Sequence, residues 1–328
     1  MRSRRIAIAA IAVLASLALP AVAATARPAA PVKTAASIPM PEQDPFYAVP
    51  HDIAHYRDGQ IIRSRPIKPM LWALPLPANA WQVEYRSEDR LGKPTAMVTT
   101  ILAPQTPWRG RGSRPLVSYQ TAEDGVAGKC APSYQIRAGA SAEPTNATAE
   151  TSEMFAAVSQ GWVVTAPDYE GPRSEFLVAK VEAHGVLDAI RATLAFKPAG
   201  LSKASPVGLW GYSGGSFASV VASEYQAAYA PDLTFRAIAL GGLVGSVPAS
   251  IQDFNGTAFG GAIPMGINGF LRAYPKVDIP AYLNATGRRD VAAAAHDCIS
   301  DAVPRYSFLS FKGIESKPNA LTLGPIAR

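Results

Sequence analysis

The chain has 328 residues, 48% of them hydrophobic and only 17% charged. That is enough apolar material for a large core and too little charge for a disordered polymer. Four His and two Cys exclude a Cys/His metal cluster and a disulfide-dense scaffold, so no metal or cofactor is implied. The +6 charge forms no basic cluster beyond the first five residues, so it does not point to nucleic acid.

Arg2, Arg4 and Arg5 precede an uncharged run from Ile6 to Leu19, followed by Pro20 and Ala21-Val22-Ala23. A basic start, a short apolar run and a small-x-small end read as a secretory signal peptide over residues 1–23, cleaved after Ala23. The run is shorter than the roughly 20 residues needed to cross a bilayer. No later uncharged run is long enough, so a secreted mature chain without a transmembrane segment is expected. Residues 24–43 are Ala/Pro-rich at their start and read as a flexible linker. Residues 44–77 are Pro-punctuated and read as irregular.

Strand signals begin at Trp81 to Tyr85 and recur at Ala96 to Leu102 and Pro115 to Tyr119, separated by turn material. After Asn146, strands alternate with helices. Glu150 to Ser159 is helix-compatible, and Trp162 to Ala166 is a short apolar strand. Val186, Leu187, Ile190 and Leu194 share one helical face. Val207 to Trp210 is a strand, Phe217, Val220, Val221 and Tyr225 form a second helical stripe, and Phe235 to Leu240 is a further strand. This rhythm predicts an α/β fold around a mostly parallel sheet. It stops at Gly241, and residues 246–310 read as an inserted helical subdomain.

Gly211-Tyr212-Ser213-Gly214-Gly215 matches G-x-S-x-G. A strand enters it directly and an amphipathic helix leaves directly, which is the setting of a nucleophile elbow. The tight turn demands small residues at 211 and 215, and the N–H of Gly214 points into an oxyanion site at a helix N-terminus. Ser213 is therefore the candidate nucleophile. Cys130 and Cys298 could close a long loop in an exported protein or stand as two buried thiols. Asp124, taken by itself before Gly125, reads as a solvated turn residue.

Several stretches then fall in one order: Ser118-Tyr119-Gln120 with Glu123-Asp124, Cys130-Ala131-Pro132-Ser133-Tyr134, Asp168-Tyr169-Glu170-Gly171, and Val186-Leu187-Asp188-Ala189-Ile190-Arg191. The elbow, Tyr229-Ala230-Pro231-Asp232-Leu233, Asn255-Gly256 and Leu283-Asn284 complete the series. This resembles the secretory lipase family, the fungal lipase A type and its bacterial relatives. The resemblance implies an α/β-hydrolase with a helical cap, hydrolysing carboxylic esters of the triacylglycerol kind through acyl-Ser213. The substrate is then a lipid or other ester, met at a lipid–water interface. It places Gly214 and Asp124 in the oxyanion hole and pairs Cys130 with Cys298. Residues 44–245 become the N-terminal part of the hydrolase core and 246–328 the cap, with the last strands and the C-terminal core segment absent.

The family's triad runs Ser, Asp, His in chain order, and neither partner is found after residue 310. His296 is the only His after Ser213, and Asp297 and Asp301 beside it suggest a surface cluster. His184 reads as a packed structural residue, and His51 and His55 as solvated. A secreted lipase or esterase with impaired activity is expected. The alternatives are a non-catalytic lipid-binding or interaction protein and a chain completed by a second polypeptide. The sequons at Asn146, Asn255 and Asn284 matter only in a glycosylating host.

Overall fold

A computed structural model describes residues 38–321, and the expected signal peptide lies outside them. Among these residues nine strands are formed: β1 Ile61–Ile67, β2 Met70–Leu71, β3 Leu74–Pro75, β4 Ala78–Glu88, β5 Pro94–Pro104, β6 Leu116–Gln120, β7 Val163–Pro167, β8 Val207–Tyr212 and β9 Phe235–Gly241. β2 and β3 pair as a small hairpin, and the other seven build one sheet in the order β1-β4-β5-β7-β6-β8-β9. β1, β4, β5 and β7 pair antiparallel, while β7, β6, β8 and β9 pair parallel. The parallel half carries the elbow.

Among the described residues there are nine α-helices: α1 Pro132–Ala138, α2 Asn146–Ser159, α3 Ala179–Ala195, α4 Gly214–Tyr229, α5 Val247–Phe254, α6 Ala262–Ala273, α7 Ala285–Ala293, α8 Ile299–Arg305 and α9 Phe311–Ile314. α3 and α4 cover one face of the sheet, where Val186, Leu187, Ile190 and Ala218 pack on Ile101, Leu116, Val163 and Leu209. α1 and α2 cover the other, where Ile136, Met154 and Val158 pack on Leu102, Val117 and Val164. Successive residues of one strand thus enter different cores, as the two-residue repeat of a strand requires. Burial on both faces is why these strands are continuous apolar runs rather than alternating ones.

Two stretches differ from the sequence expectation. β1 lies inside the segment read as irregular. Its Pro66 is tolerated because β1 is an edge strand, where a missing N–H breaks no inner ladder; Arg63 and Arg65 bond across to Glu84 and Gln82 on β4. Pro41–Gln43, within the expected linker, forms a helical turn whose Glu42 accepts a hydrogen bond from the Gly128 N–H at 2.8 Å.

The helices α5 to α9 form the subdomain over the C-terminal ends of the parallel strands. It has its own apolar cluster, with Ile263, Ile279, Val291 and Phe311 at its centre. A second cluster joins Met265 and Ala302 of the subdomain to Phe176, Phe217 and Val221 of the body. Among the described residues β9 is the other edge of the sheet, with no strand on its outer side. Ile238 is 44% exposed and Leu240 38% exposed, so this strand offers both apolar side chains and unpaired backbone groups.

Candidate active site

β8 ends at Tyr212 and α4 begins at Gly214, leaving one residue, Ser213, to make the turn. Ser213 has φ 52° and ψ −121°, a backbone conformation that costs about 1–3 kcal/mol for a non-glycine residue. The strain is held from three sides. The Ser213 N–H donates to the Gly241 carbonyl at 3.0 Å, the Ser213 carbonyl accepts from the Ser216 N–H at 2.9 Å, and the Ser216 hydroxyl donates to it at 2.5 Å. Strand, turn and helix are thus locked together around one hydroxyl.

The glycines answer to measurable obstacles. A Cβ on Gly211 would stand 2.2 Å from the Gly215 carbonyl oxygen, and one on Gly215 would stand 1.9 Å from the Gln120 carbonyl oxygen. A Cβ on Gly214 would meet Asp124 Oδ1 at 1.7 Å. The last contact brings together two residues ninety positions apart in the chain, and it puts the Asp124 carboxyl beside the first N–H groups of α4.

Asp124 is 6% exposed, so the reading of it as a solvated turn residue is corrected. It does occupy a turn, with φ 35°, but the turn is enclosed. The Tyr169 hydroxyl accepts from the Glu123 N–H and donates to the Thr121 carbonyl at 2.6 Å. The Gly125 N–H donates to Glu170 at 3.2 Å. Two of the motif stretches, 123–124 and 168–171, therefore brace the same loop. Burial pushes the Asp124 carboxyl up to about 7, because a charged carboxylate is poorly solvated there.

The same loop is tied to the cap. Cys130 and Cys298 form a disulfide, with Cα atoms 5.5 Å apart. The Ile299 N–H donates to the Asp124 carbonyl and the Val126 N–H to the Asp297 carbonyl, both at 2.9 Å. α8 is thereby fastened directly to the segment carrying Asp124.

Ser213 opens onto a cavity of about 410 Å³. Asp124, Glu150 and the exposed ring of Tyr212 are the titratable side chains on its wall. Apolar groups line much of the rest, including Phe176, Leu177, Val247, Ile251, Phe254 and Phe259. Sequence reasoning missed Glu150. Both its oxygens lie 3.2 Å from the Ala122 N–H, so it holds the root of the Asp124 loop. Burial raises its carboxyl to about 7 against the opposing pull of the Ala122 N–H and the Tyr119 hydroxyl. Nothing local marks it, since a Glu on a helix is ordinarily a surface residue.

None of the four histidines lines this cavity. His184 is buried and stacks on Tyr229 with ring centroids 3.6 Å apart. His51, His55 and His296 are exposed. His296 lies at the surface as expected, while beside it Asp297 is buried and pairs with Arg305 at 2.7 Å and Asp301 pairs with Lys129 at 2.8 Å. Among the described residues no group of His, Cys, Asp and Glu is arranged to hold a metal ion. No described helix is long and apolar enough to cross a membrane.

Comparison with known proteins gives this geometry a lineage. The family model for secretory lipases (LIP) matches residues 136–320. The chain is 36% identical over 269 residues to a protein named probable inactive lipase MT1628 from Mycobacterium tuberculosis, covering 81% of this chain and 60% of that one. It is 34% identical over 283 residues to lipase 6 of Candida albicans, covering 84% of this chain and 60% of that one. The chain thus spans about 60% of the length of these curated relatives. Among solved structures, Candida antarctica lipase A in its closed state superposes with a TM-score of 0.79 at 31% identity, over 89% of this chain and 68% of that one. The rice cell wall degrading esterase LipA from Xanthomonas oryzae, at 17% identity and a TM-score of 0.57, shares the fold. An elbow in an α/β-hydrolase sheet, a family model covering more than half of the residues and a solved relative matched along most of the chain lead to one assignment: this chain belongs to the secretory lipase family.

Proposed function

We propose that this chain carries the nucleophile and oxyanion elements of a secreted esterase that acts on carboxylic esters with apolar acyl groups, of the triacylglycerol kind. The observation that carries the reading is Ser213 at its strained turn, with Gly214 against the Asp124 carboxyl, opening onto an apolar cavity. In the acylation step the Ser213 Oγ bonds to the ester carbonyl carbon and its proton passes to a base. The carbonyl oxygen becomes an oxyanion, and the alcohol leaves with a proton as the acyl-Ser213 ester forms. The Gly214 N–H donates to that oxyanion. Asp124 assists only when neutral, because a carboxylate there repels the developing charge. Its upward shift to about 7 keeps it protonated below neutrality. The Ser213 cavity holds no imidazole among its described wall residues, so the proton acceptor lies elsewhere. The Cys130–Cys298 bridge and the family support an extracellular location.

The lack of an imidazole on that wall favours a second reading, a non-catalytic protein that binds lipid in the same cavity. Hydrolysis of p-nitrophenyl butyrate by the wild-type chain, Ser213→Ala and Asp124→Asn separates the two. Catalysis predicts a rate that falls measurably in Ser213→Ala, from a wild-type rate that is itself low because no imidazole stands on the described wall. It also predicts that the wild-type rate declines as pH rises through 7, a decline absent in Asp124→Asn, whose amide donates at every pH. Equal rates in the wild type and Ser213→Ala would end the catalytic reading.

A further inference from the structure

β2 and β3 meet in a two-residue turn, with Met70 opposite Pro75 and Leu71 opposite Leu74. Trp72 and Ala73 make the turn, and Trp72 has φ 53°. A two-residue hairpin with its first central residue in that region favours glycine there, because a bulky side chain is strained. Here the position carries an indole, 48% exposed. Leu74 is 68% exposed, and Ala73 and Pro75 are exposed as well. Four consecutive apolar residues thus stand in water on a turn that is strained to present the largest of them.

The tip is held firmly. The Ala140 N–H donates to the Trp72 carbonyl and the Leu76 N–H to the Pro69 carbonyl, both at 2.8 Å. A Cβ on Gly139 would stand 2.4 Å from the Trp72 carbonyl oxygen, so bare backbone at 139 is what lets the hairpin seat. Pro69, Pro75 and Pro77 restrict the chain on both sides. The supporting turn, Gly139–Ser141, runs on into α2, whose Asn146 and Ala149 line the Ser213 cavity. The hairpin is therefore braced by the segment that enters the wall of that cavity.

Charge around the tip selects the partner. Between Arg65 and Glu84 the only charged residue is Lys68. It is exposed at the base of the hairpin and makes no ion pair among the described residues. Glu143, just beyond the supporting turn, is paired with Lys129 at 3.3 Å. A folded protein partner ordinarily covers roughly 800 Å², more than a four-residue tip offers. A lipid surface fits both parts: hydrocarbon receives an uncharged tip without desolvating a charge, and anionic headgroups receive the ammonium above it. Trp suits that boundary, with an apolar ring and a polar N–H. We propose that the β2–β3 hairpin docks this protein on lipid surfaces that carry anionic headgroups, with Trp72 and Leu74 in the acyl layer and Lys68 at the headgroups. This docking goes beyond the reaction at Ser213 and does not require it.

Vesicle flotation of the full chain carrying Ser213→Ala tests the surface without turnover, so its outcome is independent of the ester assay. The protein should float with vesicles of phosphatidylcholine and phosphatidylglycerol in equal parts. Adding Trp72→Asn with Leu74→Ser should weaken that binding about tenfold or more; Asn is chosen because it tolerates positive φ. Adding Lys68→Gln instead should weaken it about fivefold and leave binding to pure phosphatidylcholine unchanged. Should the double variant misfold by circular dichroism, Leu74→Ser alone decides, since its side chain is mostly in solvent, and it should weaken binding about threefold or more. No flotation with the mixed vesicles, or flotation as strong in a folded variant as in its parent, overturns the proposal.

Discussion

Removing the disulfide should destabilise this protein through its unfolded state. Cys130 and Cys298 are separated by 168 positions. Closing a loop of that size lowers the entropy of the unfolded chain by an amount equivalent to about 5 kcal/mol at 25 °C in the chain-entropy model. The native contacts at the junction do not depend on the bond. The Ile299–Asp124 and Val126–Asp297 backbone bonds remain, so the folded state keeps its register in a Cys130→Ala/Cys298→Ala variant. Truncating two buried sulfurs adds a small packing loss. The expected loss is therefore between about 2 and 5 kcal/mol, read from urea unfolding followed by far-UV circular dichroism. The denaturant slope should rise as well, because an unbridged chain exposes more surface when it unfolds. A loss below about 1 kcal/mol would refute the reasoning, since the bridge would then restrict nothing that the unfolded chain explores.

Three further outcomes are expected. Gly215→Ala places a methyl 1.9 Å from the Gln120 carbonyl oxygen, a backbone group that cannot swing aside. It should cost about 1–3 kcal/mol or more in thermal or urea unfolding, and wild-type stability would contradict the elbow's geometry. His184 is held neutral in the fold, with its pKa pushed down to about 4 chiefly by burial, with Lys180, Arg86 and Arg191 adding to it. Because the folded value lies below the unfolded one, this contribution is complete above pH 6.5 and is lost as pH falls toward 4. A His184→Phe variant should therefore lose up to about 3 kcal/mol less than wild type between pH 7 and pH 4, and identical pH profiles would refute this. Ile238→Lys with Leu240→Lys should lower dye binding to exposed apolar surface and reduce light scattering, since charge on an open strand opposes edge pairing; unchanged scattering would mean that β9 is not the sticky edge.

How much was legible depended on whether the cause was local. β6 and β7 were readable because burial on both faces leaves an unbroken apolar run, and β8 and β9 because they carry short apolar runs of the same kind, although β9 is exposed here. β1 was not, because Arg63, Ser64, Arg65 and Pro66 resemble loop composition and become a strand only through pairing with β4. Ser213 was readable because a strained turn leaves a trace in the glycines around it. Asp124 was not readable from its neighbours. Gly125 suggests an open turn, and the enclosure comes from Tyr169, Glu170 and Gly214, which are brought in from other strands. Glu150 carried no trace at all, since its role rests on one backbone N–H reached across the fold. The resemblance placed Asp124 where residue chemistry alone did not.

The three elbow glycines differ in what a population of variants could do with them. Gly211 and Gly215 are blocked by backbone oxygens, so no second substitution elsewhere can make room for them. Gly214 is blocked by a side chain, that of Asp124. A larger residue at 214 therefore becomes admissible once 124 is shortened, and a carboxyl at 124 is admissible only while 214 is bare. Positions 124 and 214 thus form an epistatic pair that should drift together or not at all, while 211 and 215 stay fixed in every lineage that keeps the elbow.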